Sequence, residues 1–335
     1  MIEGFATPEG TTDFARKSSA HNENFRKIHD LTLSNVGIGT YLGNPDLETD
    51  IQQKNAIKQS ILHGVNVIDT AINYRAQKSE RTVGKAVSEL IEEGKIDRSE
   101  IFVSTKNGYV TNDADIQEDF MAYIMREFGK TGIVKEGDIS AQYNCVTIPF
   151  LEDQLARSQK NLGLDCIDLM YLHNAVEGQP QMPRDEFIAQ LKNIFEFYEL
   201  QRKEQNIRFY GLATWECFRV SKENSNFLSL TQVIDLAKQV GGSTHGFRFI
   251  QLPYNLQFDQ AYMQKNQLVD SNELSILELA KMMIKISELN LEPIIAEPLE
   301  GDVEKSHADI SLAKRSFGWK PEVKLEDWLK ETIDK

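Results

Sequence analysis

The stretch NVIDTAINY, residues 66–74, begins as a buried strand and ends as such a strand should not. Val67 and Ile68 are β-branched and apolar, as the interior of a sheet favours. Yet the run closes on Asp69 and reaches Tyr74 soon after. Other apolar runs end the same way: IFVSTKNG (101–108) carries Lys106 near its end, CIDLMYLHNA (166–175) carries His173, and FRFIQLPYNL (247–256) carries Gln251. In a closed parallel barrel, polar groups at the C-terminal ends of the strands converge on one face. An open dinucleotide-binding sheet instead needs G-x-G-x-x-G at its first turn, and GIGTYLG (37–43) has the wrong spacing and opens no helix. The strand ends therefore decide for an α/β chain of the TIM-type (βα)8 class.

Working outward, β-rich runs alternate with helix-period segments, the order expected of parallel strands joined by crossovers. NVGIGTYLG from Asn35 is the first strand, followed by a helix over about Asp50–His63 that ends at Gly64. After NVIDTA comes a helix opened by Ser79 and Glu80 as a side-chain cap with an acid in its first turn. Leu151, Leu155 and Leu162 mark the helix after the third strand, stopped by Gly163. IRFYGLATW (207–215) is the fifth strand, FRFIQLPYNL the sixth and LEPIIAEPL (291–299) the seventh, each preceded by a helical segment. Between Lys106 and Leu151 lies a long excursion containing the amphipathic EDFMAYIMREF (118–128). It reads either as a lid over the mouth or as a surface segment packed on the barrel rim.

The chain has 335 residues, enough for one large domain or two modest ones with ample core. A formal net charge of −14 excludes a nucleic-acid partner, which needs a basic surface to displace counterions. Cys145, Cys166 and Cys217 stand far apart without metal-ligand spacing, so no metal site is expected and a reduced, cytoplasmic setting is. No apolar run approaches transmembrane length, and the N-terminus lacks a signal-peptide core, so no membrane partner is expected.

Asp69, Tyr74, Lys106 and His173 are each ordinary alone: strand-end Asp is commonly a cap, His a core residue, Lys a surface one. Gathered on three consecutive strand ends, they suit reduction of a carbonyl by a hydride donor. The developing alkoxide needs a proton, which Tyr74 can give. A phenol is a weak acid at neutral pH and needs a cation beside it, a place for Lys106 held charged by Asp69. His173 can hydrogen-bond the substrate oxygen and share in proton transfer.

DTAINY with its following SE, the STKNG lysine, DLMYLHN, YGLATW and QLPYN together resemble the aldo/keto reductases, over about residues 1–296. The resemblance implies an NADPH-dependent oxidoreductase, NADH being the alternative cofactor, that reduces a small aldehyde or ketone. It implies Tyr74 as general acid with Asp69, Lys106 and His173, and a nicotinamide supported by Gln251. It places Thr40 and Asp69 beside the ribose, Tyr41 as an aromatic wall of the substrate pocket, and Asn174 on the substrate side next to His173. Many members carry Ser-Asn after the glycine of the fifth strand. Here Ala213 and Thr214 stand there, so only Thr214 keeps a hydrogen-bonding side chain for the carboxamide.

After the seventh strand no β-branched run follows that could be the eighth, so the barrel is expected to be incomplete, with seven βα repeats and a helical tail over 297–335. HADISLAKRSFGWKPEVKLEDWLKETI (307–333) resembles the end of nucleotide-sugar epimerases of the extended short-chain dehydrogenase family. That suggests a fusion within strand seven, although an unusual native C-terminus fits the same residues. The segment lacks that family's glycine-rich loop and Y-x-x-x-K pair, so no epimerase activity is implied. An open barrel leaves strand edges free for self-association. It also raises a second reading, a catalytically weak barrel binding a nucleotide or a protein.

Overall fold

Capping residues and apolar periodicity set the elements. The computed structural model describes residues 1–269 and 272–274. Thr7, extended and accepting from the Gly10 amide, starts α1 (Pro8–Lys17) with proline at the first helical position. A hairpin of β1 (Phe25–Ile28) and β2 (Leu31–Ser34) follows, then β3 (Ile38–Gly39). The Asp46 carboxylate caps α2 (Leu47–Leu62), and β4 (Val67–Asp69) leads to α3 (Lys78–Glu92). Next come β5 (Phe102–Asn107), α4 (Phe120–Ile124) and α5 (Ile148–Leu162), the last ended by Gly163 at φ 68°. Then follow β6 (Ile167–His173), α6 (Ala175–Gly178), α7 (Arg184–Lys203), β7 (Ile207–Ala213) and α8 (Leu230–Gly241). The described chain ends with β8 (Phe247–Gln251), α9 (Gln260–Met263) and the antiparallel pair β9 (Gln267–Val269) and β10 (Asn272–Leu274).

Strands β3 to β8 form one sheet in sequential order, all parallel, and they are the first six strands expected from the sequence. This is the βα arrangement of the TIM-type class. Side chains alternate between the two faces. Ile68, Val103, Met170, Leu172 and Tyr210 face the helices, packing in one core with Val83 of α3, Leu155 of α5, Phe195 of α7 and Val233 of α8. Val67, Phe102, Leu169, Phe209 and Phe249 line the opposite, inner face. Continuing that parity up the strands brings Asp69, Lys106, His173 and Gln251 to the inner face at its C-terminal end. The first compact unit runs from Met1 to Met283. Strand seven, the missing eighth strand, the open edge, the 296/297 boundary and the epimerase-like tail all lie outside the described residues.

The inner face is covered at its N-terminal end by the β1–β2 hairpin, which sequence reading missed. Leu31 and Leu33 are buried against Phe102, Leu169 and Tyr171, and His29 stacks on Phe209 and Phe249. This end of the sheet is locked by Asp168, fully buried. It accepts hydrogen bonds from the amides of Ala6 (2.7 Å) and Val103 (2.9 Å) and pairs with Arg98 (2.7 Å). Asp168→Ala leaves two amides without their acceptor and removes the one carboxylate paired with the buried Arg98 among the described residues, which keeps just the Ile101 and Cys166 carbonyls. Denaturant unfolding should therefore register a loss of about 3 kcal/mol or more. A variant as stable as the parent would mean that the Ile101 and Cys166 carbonyls suffice for Arg98.

The excursion after β5 packs on itself and on α5. Tyr123, Ile124 and Phe128 are buried with Val110, Cys145 and Phe150 in a cluster of their own. Arg157 of α5 lies over the Phe128 ring and pairs with Glu127 at 2.9 Å.

Candidate active site

Asp69 ends β4 and Lys106 lies near the end of β5, so their side chains meet across the two strands. The ammonium donates to the Asp69 carboxylate at 2.6 Å and to the Thr70 carbonyl at 2.8 Å. The lysine side chain is only 1% exposed. Burial lowers its pKa, and the carboxylates of Asp69 and the more distant Glu80 oppose that shift. The Ser104 hydroxyl donates to the other Asp69 oxygen at 2.9 Å, fixing the carboxylate.

Tyr74 stands in the loop after β4, with its ring centre 4.8 Å from the Lys106 nitrogen and 5.9 Å from the His173 ring. The loop is pinned to β5 because the Thr70 amide donates to the Ser104 carbonyl and the Ile72 amide to that of Lys106. The phenol does not behave as expected. Burial, with help from the Asp69 carboxylate, pushes its pKa above the ordinary tyrosine value instead of the cation drawing it down. It therefore holds its proton at neutral pH.

His173 is buried at the end of β6, and its Nδ1 has no hydrogen-bond partner among the described residues. Burial, reinforced by the Lys106 charge, pushes its pKa down to about 3. The imidazole is thus neutral at ordinary pH, which narrows the expected part in proton transfer to that of a neutral donor. An unpaired buried lone pair is less costly than an unpaired N–H, so the proton belongs on Nε2.

The remaining expected residues fall around this group. Tyr41 is 67% exposed with its ring edge against Tyr74 at 5.0 Å. The buried Thr40 donates to the Thr70 hydroxyl at 2.8 Å and lies 3.2 Å from the Asp69 carbonyl. Gln251 pairs in register with Ala213, which pairs with His173, so these three sit side by side. Asn174 adopts left-handed backbone, φ 45°, and its side-chain amide donates to the Tyr109 hydroxyl at 3.3 Å. The Thr214 hydroxyl is already committed, donating to the Glu177 carboxylate at 2.6 Å.

Two further residues join the site, and a third lies behind it. Tyr109 meets His173 edge to face at 4.9 Å, an aromatic three positions beyond the lysine that its spacing alone did not flag. Glu177 accepts from Thr214 and from the Glu216 amide through one oxygen, while its other oxygen is buried without a partner among the described residues. Glu80 lies in the first turn of α3 as expected, and is fully buried behind β5. It accepts from Thr105 at 2.6 Å and Asn161 at 2.9 Å, while Ser79 donates to the Thr40 carbonyl. The residue at the N-cap of α3 is Gln77, in left-handed backbone and without a side-chain cap bond.

Residues 35–230 match the Aldo/keto reductase family. The NADH-specific methylglyoxal reductase of Escherichia coli is 29% identical over 189 residues, 55% of this chain and 49% of that protein. An aldo-keto reductase of Bombyx mori is 25% identical over 204 residues, 61% of this chain and 50% of that one. The chain thus spans about half the length of the curated relatives it matches. Among solved structures, the glycerol dehydrogenase of Gluconobacter oxydans aligns at TM-score 0.44 and 20% identity, over 71% of this chain and 57% of that one. An aldo-keto reductase from Klebsiella pneumoniae in complex with NADPH aligns at TM-score 0.35 and 18% identity, over 59% of this chain and 51% of that one.

Proposed function

The chain belongs to the aldo/keto reductase family, and from that premise we propose that it reduces the carbonyl of a small aldehyde or ketone with NADPH, Tyr74 giving the proton. The observation that carries this reading is the buried Lys106 ammonium, 2.6 Å from Asp69 and 4.8 Å from the centre of the Tyr74 ring. A buried cation bound to one carboxylate and set beside a protonated phenol has an evident chemical use. It stabilises the phenolate at the moment the proton leaves.

When bound, the dihydronicotinamide supplies the hydride that reaches the carbonyl carbon. As the C=O bond electrons move onto oxygen, the Tyr74 O–H bond breaks and its proton completes the alcohol. The phenolate left behind faces Lys106, and Asp69 holds that ammonium in place. His173, neutral, donates from Nε2 to the same oxygen and orients it before transfer. Tyr41 and Tyr109 form apolar walls around the carbonyl, with Asn174 fixing the Tyr109 hydroxyl.

The residues present fit a nicotinamide. Gln251 stands beside Ala213 and has no side-chain hydrogen bond among the described residues. The unpartnered oxygen of Glu177 is the kind of acceptor a carboxamide N–H requires. The Thr214 hydroxyl is committed to Glu177 and to the Cys217 amide, so Glu177 would be the acceptor for that carboxamide. Thr40 and Asp69 would lie beside the ribose. Because the Escherichia coli relative is named for NADH, both cofactors belong in the assay. Quenching of protein fluorescence by NADPH and by NADH, alongside reduction of a generic aldehyde, tests the proposal. A chain that binds neither and reduces nothing is not this enzyme.

The state of His173 has its own test. Its pKa of about 3 in the fold lies below the imidazole value of about 6.5 in the unfolded chain. The unfolded chain therefore takes up a proton as pH falls through that window while the fold does not, so acid destabilises the protein there. Thermal melts of His173→Gln should lose part of this destabilisation between about pH 6.5 and 4. An unchanged melting profile would mean that His173 is already charged in the native protein.

A further inference from the structure

Tyr74 is followed by three consecutive non-glycine residues in left-handed backbone: Arg75 at φ 51°, Ala76 at 49° and Gln77 at 73°. Each such residue costs on the order of 1 kcal/mol, so the run persists only where its surroundings impose it. The surroundings here are specific. The Arg75 guanidinium, its side chain 1% exposed, reaches back to α2 and the loop before it. It donates to the Asn44 carbonyl (2.8 Å), the Asp46 carbonyl (3.2 Å), Gln53 Oε1 (2.9 Å) and Asp50 Oδ1 (2.5 Å). Asp50 in turn pairs with Lys78 at 2.9 Å, and Lys78 with Asp115 at 2.8 Å, tying the turn to the loop after β5. Gln77 is buried, donating to the Asn112 carbonyl and the Tyr123 hydroxyl.

Through Gln53 the same guanidinium is linked to the far side of the site. Gln53, which it holds, donates to the Thr40 carbonyl at 3.1 Å, next to Tyr41. Thr40 donates to Thr70, whose carbonyl accepts from Lys106. One buried cation is thereby connected to the phenol through the backbone, and to the aromatic wall and the ammonium through hydrogen bonds.

We propose that Arg75 is a positioning residue for the reduction: it forces the left-handed turn that presents the Tyr74 phenol to the substrate oxygen and keeps it beside Lys106. This rests on the role proposed for Tyr74. No atom of Arg75 meets the substrate, and its contribution is made entirely through geometry. A displacement of about 1 Å at a reacting group is enough to cost about a hundredfold in rate.

Arg75→Gly separates geometry from folding, because glycine accepts φ 51° without strain while losing the clamp. Arg75→Lys keeps a charge for Asp50 but cannot reach four acceptors. With a generic aldehyde and NADPH, Arg75→Gly should lower kcat about tenfold to a hundredfold. The NADPH dissociation constant, read by fluorescence, should stay within about twofold, and Arg75→Lys should recover part of the loss. Wild-type kcat in Arg75→Gly, with Tyr74→Phe inactive in the same assay, would overturn the positioning role and leave the mechanism standing. Should Tyr74→Phe be as active as the parent, the mechanism falls. The crystal structure of Arg75→Gly then decides, a Tyr74 ring unmoved from Lys106 overturning the inference and a displaced ring supporting it. If neither variant folds, Arg75 is a folding element and the inference is overturned.

Discussion

Tyr74→Phe should lower kcat for aldehyde reduction by about 10³-fold while leaving NADPH affinity unchanged. The substitution removes one oxygen from a half-buried ring and keeps its contacts with Tyr41, Lys106 and His173. Stability should therefore hardly move, and a loss of activity reports on the proton alone. The raised pKa of this phenol makes the prediction sharper. At neutral pH the group is fully protonated, so the rate should not climb with pH as it would if the phenolate were the working form. A rate that rose steeply from pH 6 to 9 would assign Tyr74 the opposite protonation state.

Lys106→Met should be comparably damaging, for two reasons that can be told apart. The variant retains an unbranched side chain of similar length, so packing at this fully buried position is largely kept. It loses the charge that stabilises the departing phenolate, for which a fall in kcat of roughly 10²-fold or more is expected. It also leaves an Asp69 oxygen without its 2.6 Å partner, in a side chain 22% exposed, which lowers stability. Adding Asp69→Asn to Lys106→Met should restore stability but not rate. If the double variant recovers both, the lysine serves the fold and the mechanism loses its cation.

Much of this was legible before any coordinates, for a physical reason. Strands β5 and β6 are buried along their whole length, and each opens on apolar β-forming residues, so a lysine or histidine near the end of such a run stands out. What could not be read depends on closure of the chain. The β1–β2 hairpin turns through His29 and Asp30, both at positive φ, so the glycine that usually announces such a turn is missing. The same holds for residues 75–77, whose left-handed run is held by α2 and by the segment after β5 and not by any local residue preference. Ser79 looked like a helix cap because a serine at the start of a helical run usually is one, whereas α3 already begins at Lys78. Glu80 is the acid of the first turn as expected, and only the packing of α3 against β5 and α5 reveals that it is buried. The neutrality of His173 likewise follows from burial beside an ammonium and has no signature in the residue itself.

The central claim is spatial: one substrate oxygen receives hydrogen bonds from both Tyr74 and His173 above a buried ammonium. Its most direct test is the crystal structure of the chain with NADP⁺ and an unreactive carbonyl ligand. The expected result is a carbonyl oxygen within about 3.2 Å of both the Tyr74 hydroxyl and His173 Nε2. A ligand whose carbonyl oxygen is held by other groups, with both of these side chains out of reach, would contradict it.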